Sequence, residues 1–195
     1  SQPRRPKRHP FLEGVVDPSS GKTIVDELVQ LVVKPWRTSL VFQLRALESC
    51  CRNREVVAWI RDGRFKDQHY RELCKTLIGI IEGPAPVPVA TRAHSKPKQR
   101  TKIYAASVLF NLLRPPMSSA GPIAEDDVAN KEKLRSLLEM GTIDPANGSE
   151  AYVWKKEVTL LDMVCEEMGL PPYNNWTTVN VRDPEKITRN NHYSA

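Results

Sequence analysis

The sequence predicts an all-α fold, an irregular helical bundle or an armadillo/HEAT-like stack of about seven helices. Three observations lead there. Apolar residues recur at the three- and four-residue steps that place side chains on one helix face. The periodic stretches end in glycine and proline in the order that closes helices. No stretch supports a credible sheet, with a short strand at "TTVNV" as the one candidate.

The elements follow in chain order. "TIVDELVQLVV" places Ile24, Leu28, Leu31 and Val32 on one stripe, with Thr23 as N-cap and Pro35 as stop. "SLVFQLRALESCC" repeats Leu40, Leu44, Leu47 and Cys51, capped by Thr38 or Ser39. "REVVAWI" groups Val56, Trp59 and Ile60. "DQHYRELCKTLIGII" aligns Tyr70, Leu73, Leu77, Ile80 and Ile81 behind an Asp67 cap, and Gly83 with Pro84 closes it. Residues 83–98 hold four prolines and no periodic pattern, so a mobile loop over 83–100 is expected.

"TKIYAASVLFNLLR", residues 101–114, is apolar nearly all round, the signature of a bundle's central helix. "EDDVANKEKLRSLLEM" carries acids in its first turn and offers Val128, Leu134, Leu137 and Leu138 to the core before Gly141. "EAYVWKKEVTLLDMVCEEM" aligns Trp154, Val158, Leu161, Cys165 and Met168, with Ser149 as cap and Gly169 as stop. The expected organisation is a flexible basic arm over 1–20, a helical domain over 21–169, and a tail over 170–195 that is packed in part through Tyr173 and Trp176. The central helix is expected to pack against the stripes at 40–51, 69–81 and 154–168.

With 195 residues and 40% apolar content, the chain is long enough for one domain with a core. No run of 18 apolar residues occurs, which excludes a transmembrane helix by hydropathy. The N-terminus is basic but lacks the apolar stretch of a secretory signal. It opens on Ser rather than Met, so a fragment or processed product is expected. Four cysteines form no dense framework, and Cys51, Cys74 and Cys165 fall on apolar faces, which implies a reducing compartment, cytosolic or nuclear.

The net charge of +6 is unevenly placed. Arg4, Arg5, Lys7 and Arg8 give residues 1–10 a charge of +4, and Arg92, Lys96, Lys98, Arg100 and Lys102 give residues 91–102 a charge of +5, leaving −3 for the rest. This is the footprint of basic arms on a nearly neutral body. Those nine cations are the candidate nucleic-acid contacts, by phosphate neutralisation rather than base reading, since neither segment interleaves aromatics with its charges (Phe, Tyr and Trp are absent from both). "PRRPKR" also fits a nuclear-import signal, and Arg92-Ala-His-Ser95 a basophilic kinase site.

Other chemistry finds little footing. His9, His94 and His192 lie in tails or the loop, and His69 and Cys74 are five residues apart, about 140° around a helix, so they cannot pair locally. Cys-x-x-Cys, His-x-x-x-His and calcium-loop spacings do not occur. "SSGKT", residues 19–23, looks like the end of a phosphate-binding loop, but Val16 stands where the first glycine belongs. Asn147 and Asn175 begin glycosylation-type triplets that carry no meaning in a reducing compartment. The adjacent Asp126 and Asp127 read as helix N-terminal charge. No catalytic, cofactor-binding or metal-ligating residue is expected.

The run "KPWRTSLVFQLRALESCCRNREVVAWI", residues 34–60, resembles the start of the armadillo-type regulatory region of formins. Lys34, Pro35, Leu44, Leu47, Asn53, Val57, Trp59 and Ile60 carry the likeness, and "KIYAASVLFNLL", residues 102–113, is similar to an armadillo third helix. The likeness is confined to these two stretches and implies a helical scaffold that binds a partner. The expectation is therefore a non-enzymatic interaction domain with a protein partner. The alternative is a helical protein, of viral nucleoprotein type, that binds RNA or DNA without sequence preference through its basic arms.

Overall fold

The computed structural model describes residues 10–34, 40–62, 66–83, 99–114, 125–145, 153–172 and 181–182. It is mostly helical. Helices α1 (Pro10–Glu13), α2 (Ile24–Val33), α3 (Leu40–Cys51), α4 (Arg54–Asp62), α5 (Lys66–Glu82), α6 (Gln99–Leu113), α7 (Glu125–Glu139) and α8 (Lys155–Glu167) succeed one another in chain order. Four short strands accompany them: β1 (Val15–Asp17), β2 (Lys22–Thr23), β3 (Val153–Trp154) and β4 (Val181–Arg182).

Helix α6 is the centre. Every residue from Thr101 to Leu113 is buried, and the helix packs against α3, α4, α5, α7 and α8. This follows from a sequence with no polar face, because such a helix loses apolar contact wherever it meets water. Leu44, Leu47 and Cys51 of α3, Leu73, Leu77 and Ile81 of α5, and Val158, Leu161, Val164 and Cys165 of α8 supply the surrounding layer, as their spacing predicts.

Helix ends obey local rules. Thr23 accepts the Asp26 N–H at 3.3 Å, and the Asp26 carboxylate accepts the Thr23 N–H at 2.8 Å, a reciprocal capping box. At the far ends of α7 and α8, Gly141 (φ 65°) and Gly169 (φ 71°) adopt the left-handed conformation that only glycine takes cheaply. There Thr142 N–H bonds Leu137 O at 3.2 Å and Leu170 N–H bonds Cys165 O at 2.8 Å, the pattern of Schellman caps.

Several expectations change. The arm expected over 1–20 is divided: residues 1–9 lie outside the described residues, while 10–20 contain α1 and the first strand of an antiparallel β1–β2 hairpin. Trp154 belongs to β3, not to the last helix, and β3 pairs in parallel with β4, so the sequence around "TTVNV" does contribute a strand residue, Val181. Helix α5 begins at Lys66, which puts Asp67 inside its first turn rather than at the cap. In α2 the buried apolar residues are Val25, Val29 and Val32; of the predicted stripe Val32 is buried, Leu28 and Leu31 are half-buried and Ile24 is exposed. Val128 is 48% exposed, and Asp127 takes the inward position instead. The expected loop over 83–100 ends earlier, because Gln99 and Arg100 form the first turn of α6. Its proline-rich part and Ser95 lie outside the described residues, as do Ser149, Tyr173 and Trp176.

All four cysteines are free and buried. Burial pushes each thiol upward, Cys74 to about 12. No helix among the described residues is long and apolar enough to cross a membrane.

Candidate functional site

Buried carboxylates organise the interior. Glu157 on α8 is fully buried, and Arg100 reaches it with Nε 3.0 Å from both carboxylate oxygens and Nη2 2.9 Å from Oε1. Tyr104 donates its hydroxyl to the same Oε1 at 2.9 Å. Burial, then the Glu157 charge, push the Tyr104 hydroxyl upward, while Arg45 and Arg100 pull it the other way. On α3, Glu48 is buried and receives the Arg52 guanidinium at 2.8 and 3.2 Å, with Ser107 of α6 donating at 3.4 Å. These two sets tie α6 to α8 and to α3.

A third set locks the opposite side. Asp127 accepts from Arg61 Nη2 at 2.6 Å and from the Tyr70 hydroxyl at 2.5 Å. Arg61 also donates to Leu112 O at 2.7 Å, closing the orphan carbonyls at the end of α6. One arginine thus binds α4, α6 and α7 together.

Above the Glu48 and Glu157 sets lies a groove of about 550 Å³ between α3 and α8. Its α3 wall carries Phe42, Arg45, Ala46 and Ser49, with Arg52 one residue past the helix end, its α8 wall carries Lys156 and Leu160, and the buried Tyr104 of α6 lies beneath. The α3 residues recur at steps of three and four, so they share one face, opposite the buried Leu44, Leu47 and Cys51. Phe42 is 66% exposed. Arg45 and Lys156 are exposed and have no carboxylate partner among the described residues. Among the described residues, three cations line the groove against the carboxylate of Glu48, a net +2. Chemically the groove offers guanidinium forks, an ammonium, an exposed ring and a small apolar floor, a set suited to holding an anionic group beside an apolar one.

A smaller cleft of about 130 Å³ lies by Phe110, Lys131 and Met168. Arg114 crosses it, paired to Glu167 at 2.9 Å and stacked 5.0 Å over the Phe110 ring. No group of three or more His, Cys, Asp or Glu among the described residues is gathered to hold a metal ion.

The sequence-predicted basic contacts separate. Arg4, Arg5, Lys7, Arg8, Arg92, Lys96 and Lys98 lie outside the described residues. Arg100 and Lys102, expected in a flexible arm, sit in α6 instead. Arg100 holds Glu157, and Lys102 is 8% exposed with its Nζ donating to Thr142 O at 3.0 Å. The Arg100 charge serves the interior, because a carboxylate buried as deeply as Glu157 is stabilised by a cation placed on it. The "SSGKT" stretch is the turn and second strand of the hairpin, with Lys22 Nζ bound to Gln30 at 3.3 Å and Thr23 capping α2. Phe42, Arg45, Arg52 and Lys156 escape the sequence analysis; the i, i+3, i+7, i+10 run of Phe42, Arg45, Ser49 and Arg52 on the polar side of α3 is a signal for the first three, and none marks Lys156. No protein-family model, curated protein or solved structure matches the chain.

Proposed function

We propose that the protein is a non-enzymatic helical interaction domain that binds a protein partner through the groove between α3 and α8. One observation carries this reading: Phe42, 66% exposed, stands beside Arg45 and Lys156, two cations with no carboxylate partner among the described residues, over a preformed apolar floor. A ring left in water forgoes the roughly 25 cal/mol per Å² that burial returns, and aromatic and arginine side chains are the residues that anchor protein contacts. The walls are helices fixed to α6, α8 by the buried Arg100–Glu157 ion pair and α3 by the Ser107–Glu48 hydrogen bond, so little ordering entropy opposes binding. The armadillo/HEAT-like likeness belongs to the same proposal, since such stacks present helix-lined surfaces to partners. So does a cytoplasmic or nuclear location, where four buried thiols stay reduced.

Sequence-nonspecific nucleic-acid binding is a second reading. It rests on Arg4, Arg5, Lys7, Arg8, Arg92, Lys96 and Lys98, because Arg100 and Lys102 are engaged within the fold.

The test is a photo-crosslinker, p-benzoylphenylalanine, installed at position 42 of the full chain in cells. The expected product is a crosslinked protein that disappears when Arg45→Glu and Lys156→Glu are combined. Crosslinking to no protein, or crosslinking indifferent to those reversals, refutes the proposal.

A further inference from the structure

Resting on that reading of the groove, we infer that its occupant is an acidic peptide segment with one apolar anchor. Charge complementarity is the first argument. Arg45, Arg52 and Lys156 give the lining its net +2, and Arg45 and Lys156 have no carboxylate partner among the described residues. Arg52 is already aimed, since Glu48 holds its guanidinium bidentately while 65% of the side chain remains exposed. A guanidinium fork matches a carboxylate in geometry as well as sign.

Placement is the second argument. Arg45 and Arg52 stand seven residues apart, about 10.5 Å along α3, with Lys156 on the facing wall. The buried Leu160 and Tyr104 side chains give the groove an apolar floor for an aliphatic group, with Ala46 and the Phe42 ring exposed at its rim. Carboxylates on either side of one leucine-like side chain meet all of these features at once. A single nucleic-acid strand meets fewer of them. It needs a continuing cationic track and successive rings for its bases, whereas the cations here fall within two helical turns beside one exposed ring. The chain carries an acidic and apolar surface of its own, Glu125, Asp126 and the exposed Val128 on α7, but Asp126 is already turned to Arg71 at 3.6 Å.

The experiment uses the full chain and three fluorescein-labelled probes read by anisotropy: a 15-residue peptide of glutamates around a central leucine, the same peptide with glutamine for glutamate, and a 15-nucleotide oligothymidylate. The glutamate peptide should bind, the glutamine peptide should bind about tenfold more weakly, and the Arg45→Glu/Lys156→Glu chain should lose at least about tenfold for the glutamate peptide. Binding should weaken as salt rises from about 50 to about 200 mM. Circular dichroism should not change, because both substituted residues are exposed. Equal binding of the two peptides, or peptide binding unaffected by the reversals, overturns the inference. Tighter oligothymidylate binding that the reversals abolish assigns the groove to nucleic acid and overturns it as well. Self-association in sedimentation that the reversals abolish makes a second copy the occupant, with the same consequence. If the crosslink from position 42 reaches a neutral or basic protein segment, the acidic occupant is wrong while the protein-partner reading stands. If it reaches no protein, both fall.

Discussion

Arg100→Gln is the most informative single change, because two accounts of this residue predict opposite results. If Arg100 belonged to a solvated arm, its loss would weaken phosphate contact and leave stability alone, within about 0.5 kcal/mol. The structure places its guanidinium on a carboxylate with no exposure at all, and the arginine side chain itself is 19% exposed. Removing the cation takes the paired positive charge from Glu157, and the Tyr104 hydroxyl that also donates to it is neutral and cannot compensate a full charge in a low-dielectric site. Breaking a buried pair of this kind costs about 3–5 kcal/mol, a large share of the 5–15 kcal/mol that holds a typical domain. With a urea m-value of roughly 2 kcal/mol/M, the midpoint should fall by about 2 M. The double variant Arg100→Gln/Glu157→Gln removes both charges together and should recover about 2 kcal/mol relative to the sum of the single losses. Equilibrium urea unfolding, followed by circular dichroism at 222 nm, measures all three. A loss below about 1 kcal/mol for Arg100→Gln, the range of exposed pairs, refutes the burial argument.

Three further outcomes are expected. Asp127→Ala should cost about 3 kcal/mol in the same assay, because it strands the Arg61 guanidinium between α4, α6 and α7, while Tyr70→Phe should cost about 1 kcal/mol for one hydrogen bond. Thr23→Ala should cost about 1 kcal/mol by opening the capping box of α2. Cys74 keeps its proton to about 12 when folded but releases it near the ordinary 9.0 when unfolded, so the unfolded chain binds fewer protons between those values. Its contribution is therefore complete below pH 9 and declines as pH climbs toward 12, and thermal melts of Cys74→Ala across this window should show a shallower loss than those of the parent chain.

The sequence reading succeeds where one physical signal dominates. Helix α6 is legible because its apolar residues run nearly all round from Ile103 to Leu113, with Ser107 and Asn111 the polar exceptions, and α3 and α5 because each has a single apolar stripe. In α2 the phase is lost: "IVDELVQLVV" is apolar on most positions, so two stripes fit equally, and the inward turn of Asp26 goes with its local cap on Thr23 and with a tertiary bond from Trp59, whose indole N–H reaches Asp26 at 3.0 Å. Arg100 and Lys102 were misread for a related reason. A run of like charge looks solvated until its partners are known, and Glu157 and Thr142 lie 57 and 40 residues downstream. The inward turn of Asp127 depends on Arg61, 66 residues earlier. Two-residue strands such as β3 and β4 are too short to leave a period-two pattern. The groove escaped because its cations and ring come from two helices more than a hundred residues apart.

Glu48 couples the interior to the groove, and its replacement sets two effects against each other. Glu48→Gln frees the Arg52 guanidinium from its bidentate hold, so a ligand must then order that side chain at a cost of about 0.5–1.5 kcal/mol. The same change removes the Glu48 charge and, among the described residues, raises the net charge lining the groove from +2 to +3. A ligand carboxylate about 6 Å from the Glu48 position feels that charge by roughly 0.7 kcal/mol at the dielectric of water and 2.8 kcal/mol at an effective value of 20. At a partly desolvated wall the Coulombic gain exceeds the ordering cost, so Glu48→Gln should bind the glutamate peptide more tightly, on the order of threefold. The gain should shrink at high salt, where the Debye length falls to about 3 Å. Weaker binding at low salt shows that the fixed pose of Arg52 outweighs the groove's charge, and the electrostatic account of the occupant fails with it.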